Sequence, residues 1–129
     1  MGVSALLAMQ TWALVGLSNN RHRAAFDVAE FLKIKGKRVV PVHPSAEVVH
    51  GEQGFSLLAD IPFAVDVVDC FVRSSLVGAV VDEAIAIGAR GVWFQLDVID
   101  EAAAARAEAA GLTVVRDACP KIEWPRLTT

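Results

Sequence analysis

The fold that this sequence predicts is α/β: a single doubly wound, Rossmann-like and mostly parallel sheet with helices on both faces. Three observations predict it. Five short apolar runs alternate with stretches of helical period along the chain. Those runs are continuously apolar, as strands buried on both faces are, and do not alternate with polar residues. The hydrophobic set makes up 54% of the chain, with 9 glycines besides, above the roughly 45–50% that both together reach in a typical soluble domain. At 129 residues the chain is expected to form one domain, 1–129, burying roughly two thirds of its unfolded surface.

The elements follow in order. Thr11 to Gly16 ("TWALVG") reads as the first strand. Ala24 to Lys35 ("AAFDVAEFLKIK") reads as a helix, with Phe26, Ala29 and Leu32 on one face and Gly36 as its stop. Arg38 to Val42 ("RVVPV") is the second strand, and its interior Pro41 points to a bend or a position away from the sheet centre. Val65 to Val72 is the next strand; Ser74 and Ser75 offer an N-cap for a helix over Val77 to Gly88. Gly91 to Leu96 is a strand, Asp100 caps an alanine-rich helix to Ala110, Gly111 stops it, and Leu112 to Val115 is the last strand.

Charge and cysteine content narrow the setting. A net charge of −3 argues against a nucleic-acid surface, which needs clustered, uncompensated Lys and Arg. Cys70 and Cys119 form no CxxC and have no His at metal spacing, which fits a reduced, cytoplasmic protein. The opening "MGVSALLAMQ" lacks a basic start, and its uncharged run is too short to span a bilayer, so no membrane association is expected.

Right-handed crossovers place ligands beyond the carboxyl ends of such strands, where strand order reverses. The candidate segments are therefore Gly16 to Arg23, His43 to Ser45, Arg73 to Ser75 and Gln95 to Asp97. Gly16 permits a tight turn and close approach to the backbone. After it, the amides of Leu17, Ser18 and Asn19 and the next helix N-terminus are expected to face outward as a phosphate loop, with Arg21 and Arg23 adding charged donors. A solvated loop that happens to carry arginines is the plainer alternative. The dinucleotide fingerprint fails, since only Gly16 of its three glycines is present and the second strand ends in Val42, His43 and Pro44 without an acid. No glycine-lysine-serine/threonine sequence makes a P-loop, and "ALVGLS" lacks the acidic cluster of a phosphoacceptor domain.

"VGLSNN", "VVPVHP", "HGEQGFSLLADIP", "VDVVDCFVR", "EAIAIGARGVWFQLDVIDEAAAARAEAAGLTVV" and "DACPKIEWPRL", in that order, resemble the small stand-alone CoA-binding proteins. These are Rossmann-like domains similar to the CoA-binding domain of the succinyl-CoA ligase alpha subunit. The resemblance runs over about residues 11 to 127. It implies that the ligand is coenzyme A or an acyl-CoA, that Gly16, Leu17, Ser18, Asn19, Arg21 and Arg23 face its phosphates, and that His43, Pro44, Phe71, Arg73 and Gln95 line the nucleotide site. The chain departs from the family pattern at Arg21 (usually proline), Ala24 and Ala25 (proline-serine), His43 (asparagine) and Asp97 (glycine). It carries neither the second domain nor the phosphorylated-histidine loop of a CoA ligase subunit, so binding without catalysis is the expectation.

Other functional classes stay open on the residues alone: a Rossmann-type enzyme acting on another nucleotide, a thiol-redox protein using Cys119, or a regulatory interaction domain whose site has decayed. Cys119, beside Pro120 and Lys121, reads either as a packed anchor of the tail or as a thiol activated by a nearby cation. Asp66 and Asp69 interrupt an apolar strand and are expected to bond backbone amides. His22 and His50 are expected in solvent, and Trp12, Trp93 and Trp124 in core or tail packing.

Overall fold

The structure, a computed structural model, describes residues 2–128; Met1 and Thr129, the ends of the expected 1–129 domain, lie outside the described residues. Its five strands are β1 (Thr11–Val15), β2 (Arg38–Val42), β3 (Val67–Cys70), β4 (Gly91–Phe94) and β5 (Thr113–Val115). They form one all-parallel sheet in the order β2-β1-β3-β4-β5. Strand order reverses between β1 and β3, so a crevice must open above their carboxyl ends.

Helices cover both faces, because every parallel crossover returns on the same hand. One face buries Ala13, Val68, Cys70, Val92 and Phe94 beneath α3 (Ser74–Ala86) and α4 (Glu101–Ala109). The other buries Trp12, Leu14, Val67 and Trp93 beneath α1 (Gly2–Leu7), α2 (Ala24–Ile34) and the tail helix α5 (Pro120–Glu123). Trp12 and Trp93 are tilted neighbours 5.7 Å apart, and each indole N–H donates to a backbone carbonyl, that of Met9 or Ala118.

Local chemistry explains the helix ends. Asp100 accepts the Ala103 amide at 3.0 Å and starts α4, which otherwise has a weakly amphipathic, alanine-rich sequence. Asp100→Ala should therefore remove about 1 kcal/mol of stability, read as a lower urea midpoint with unchanged slope; an unchanged midpoint would deny the cap its role. The Ser74–Ser75 pair does not cap α3 from outside. The helix begins at Ser74 itself, and Arg73 is its N-cap residue with no side-chain capping bond. In α2 the buried stripe is Ala25, Val28, Ala29 and Leu32; Phe26 lies at its margin, against the ring of His50.

Pro41 sits in β2 at the sheet edge. Its carbonyl accepts the Phe55 amide, and the Phe55 carbonyl accepts the His43 amide, so the 52–55 segment adds a bridge outside β2. The missing proline N–H therefore falls on the outer side, where it interrupts no ladder bond to β1. Asp66 accepts the Thr11 amide at 3.0 Å, as expected of it. Asp69 departs from expectation: it is fully buried on the α2 face, opposite Leu14 and Trp93 in the register, and neither carboxyl oxygen has a partner among the described residues. Burial pushes its pKa well above the ordinary carboxylate range.

Candidate functional site

A cavity of about 930 Å³ opens above the carboxyl ends of β1, β2, β3 and β4, at the point where strand order reverses. Its floor is Val15, Gly16, Val42, Phe71 and Gln95; its walls come from α2 and its preceding loop, from the residues after β2, from Ser56 and Leu57, and from α3. Gly16 turns the chain out of β1 at φ +104, with its amide on the Val42 carbonyl at 2.8 Å. A side chain there would meet the Phe71 carbonyl oxygen at 2.3 Å, so the crevice exists in this form only with glycine.

Two helix N-termini converge on this space. Arg23 is the N-cap residue of α2 and Arg73 that of α3, and neither end carries a side-chain capping bond. The Phe26 and Leu76 amides turn back to the Arg23 and Arg73 carbonyls, and the two N–H groups before each are left without capping acceptors among the described residues, each end bearing a partial positive charge. Ala24 and Ala25, which stand where the resembling family has proline-serine, line the cavity without a hydroxyl to cap the turn. Arg23 and Arg73 also line it, and neither enters an ion pair among the described residues. By contrast Arg38, Arg106, Arg116 and Arg126 are all paired with carboxylates.

The cavity gathers Gly16, Ser18, Arg23, His43, Pro44, Phe71, Arg73 and Gln95. It does not gather Leu17, Asn19 or Arg21. Leu17 is buried in the α2-face core, its amide directed back to the Leu14 carbonyl. The Asn19 amide donates to a Glu47 carboxyl oxygen at 3.0 Å, and its side chain to the Val48 carbonyl at 2.9 Å. Arg21 lies over the Phe26 ring, 5.8 Å from its centre. The outward row of amides expected of Leu17, Ser18 and Asn19 is therefore not how the loop is built; the 46–48 segment uses up its last member. Asp97, the carboxylate in place of a family glycine, adopts a positive φ of 67 and donates its amide to Asp117, and it does not line the cavity.

Residues 10–125 match the family described as CoA binding domain. The chain belongs to the CoA-binding domain family. A relative of this CoA-binding domain, the uncharacterized protein YneT of Bacillus subtilis, is 30% identical over 110 residues, covering 85% of this chain and 82% of YneT. A hypothetical protein from Pyrococcus horikoshii superposes with a TM-score of 0.93 at 36% identity, over 98% of this chain and 90% of that one. The dinucleotide-forming acetyl-coenzyme A synthetase 1 of Ca. Korarchaeum cryptofilum matches at TM-score 0.74 and 22% identity, over 87% of this chain but 27% of that one; the likeness there is one of fold.

Several residues of this CoA-binding domain that line the cavity escaped sequence reasoning: Ser56, Leu57, Leu76, Val80 and Glu83. A signal existed for those on α3, since Leu76, Val80 and Glu83 recur at the spacing of one helix face. Cys119 is packed in the α2-face core, as expected of an anchor for the tail, and also touches the cavity. Lys121 is held by Asp27 at 2.6 Å, a bond that raises the ammonium pKa. His50 is half-buried, its Nε2 within 3.0 Å of the Phe26 carbonyl oxygen, and not in solvent. Among the described residues no three His, Cys, Asp or Glu side chains cluster as a metal site, and no helix is long and apolar enough to cross a membrane.

Proposed function

We propose that this protein binds coenzyme A or an acyl-CoA in the cavity above β1 and β3, and holds it without transforming it. The observation that carries the reading is the convergence on one crevice of two helix N-termini that, among the described residues, have no side-chain cap and an arginine without an ion pair. Phosphate groups suit that donor set. The acceptor Gln95 Oε1 is buried at the cavity floor with no donor among the described residues, and it suits an amide N–H of the pantetheine arm. Arg23 and Arg73, with the first turns of α2 and α3, would hold the phosphates, and Gly16 would let them approach the backbone. When bound, the cofactor supplies a thiol or thioester; the chain's part is to bind, orient and partly enclose it. The protein is read as cytoplasmic, where CoA and reduced cysteines belong together.

Calorimetry with CoA, dephospho-CoA, NAD and NADP tests the reading. CoA should bind most tightly, and weaken when the 3′-phosphate is removed; preference for NAD or NADP, or no binding of any, rejects it. Arg23→Ala and Arg73→Ala should each weaken CoA by about tenfold or more, one charge-assisted hydrogen bond being worth roughly 1.5–3 kcal/mol. Arg21→Ala, outside the cavity, should change it little. Equal losses in all three variants would point to bulk charge in place of a built site.

A further inference from the structure

Glu83 has no place in the phosphate chemistry, yet it lines the same cavity. It belongs to a stripe on α3 that begins at Arg73 and continues through Leu76 and Val80. Ten residues of helix separate its ends, so the carboxylate lies about 15 Å along the groove from the arginine. Glu83 makes no ion pair or side-chain hydrogen bond among the described residues, although Asp82 beside it is paired with Arg106. Ser56 and Leu57 line the same cavity. Leu57 and Leu76 are each 52% exposed, two apolar side chains left in solvent in the slot that the cavity forms beside α3. The groove is thus cationic at one end, apolar along its walls and anionic at the other.

We infer that Glu83 is a specificity-determining residue which accepts a hydrogen bond from the exocyclic amine of adenine, the ring lying between Leu57 and the Leu76–Val80 face. The inference rests on the CoA reading, which fixes the nucleoside as adenosine and its phosphates at Arg23 and Arg73. A purine matches the slot because its faces are apolar and its polar groups lie on its edge. A carboxylate has only acceptors. It therefore attracts the adenine amine and repels the carbonyl oxygen that hypoxanthine carries at the same position.

Titration of the wild-type protein and of Glu83→Gln with CoA and with its deaminated counterpart, which carries hypoxanthine, tests the inference. The wild type should prefer CoA by about tenfold to a hundredfold, the range of one hydrogen bond to a charged group. In Glu83→Gln the amide can donate to the hypoxanthine oxygen, so the ratio should fall toward unity or reverse. Thermal unfolding of the variant reports whether the half-exposed substitution has disturbed the fold, and the wild-type ratio stands as a test by itself. If the wild type binds both ligands equally, or Glu83→Gln keeps the wild-type ratio, the adenine assignment is wrong while the CoA reading survives. If the wild type binds neither ligand, the CoA reading falls and takes this assignment with it.

Discussion

Replacing Asp69 by asparagine is expected to raise the stability of the fold at neutral pH and to flatten its pH dependence. The side chain is fully buried between Leu14 and Trp93 with neither oxygen bonded among the described residues, and burial raises its pKa well above the usual 3.8. Below that usual value both folded and unfolded chains keep the proton, and the group does not affect the pH dependence. Above it the unfolded chain ionises while the folded chain holds its proton, so stability falls by about 1.4 kcal/mol per pH unit until the pH passes the raised folded value. Asparagine has the same shape and no proton to lose. Urea unfolding of both proteins from about pH 5 to about pH 8 should therefore give curves that diverge with rising pH, asparagine being the more stable at the upper end. Parallel curves would mean that Asp69 is ionised in the folded chain. Cys70, whose thiol pKa is raised by burial and then by Asp69, adds a similar decline only at alkaline pH.

Gly16→Ala should be strongly destabilising. The new methyl would stand 2.3 Å from the Phe71 carbonyl oxygen and 3.1 Å from its carbon, at a φ of +104. Phe71 cannot retreat, because its amide is fixed to the Val15 carbonyl at 2.9 Å. Backbone strain of about 1–3 kcal/mol is thus added to a clash between two packed strand ends. A loss of about 3 kcal/mol or more is expected, a fall in Tm on the order of 10 °C. Gly36→Ala is the comparison: its φ is +88, but no atom lies within 4 Å of the added carbon, so strain alone acts and the loss should be far smaller. Equal losses at the two sites would remove the close approach of β1 and β3 as the reason for Gly16.

The strands were legible because both sheet faces are covered, so Trp12–Leu14 or Val67–Val68 had to be apolar without a break. Helix α1 was not. Six residues with only Leu6 and Leu7 buried carry too little period to separate a helix from any apolar stretch. Ser74 and Ser75 misled for a related reason: serine favours a cap position, but the chain enters α3 at Arg73, and an uncapped end is what an anion needs. Of the site, the strand-end residues were readable from topology alone. The fates of Leu17 and Asn19 were not, since they depend on the α2-face core and on Glu47 and Val48, far along the chain. Asp69 illustrates the limit in another way: a carboxylate at a strand usually finds an amide, as Asp66 does just before β3, and only the packing around Asp69 reveals that it has none among the described residues.

Phe55 and Pro41 have a consequence beyond local geometry. A parallel sheet ends in rows of backbone donors and acceptors that could template a strand from another copy of the chain. On the β2 side, proline removes one donor and Phe55 occupies the Pro41 carbonyl and the His43 amide that follow it. The opposite margin is β5, three residues long, which leaves an incoming strand little to pair with. This arrangement guards a chain that is 54% hydrophobic against edge-to-edge self-association when it is concentrated.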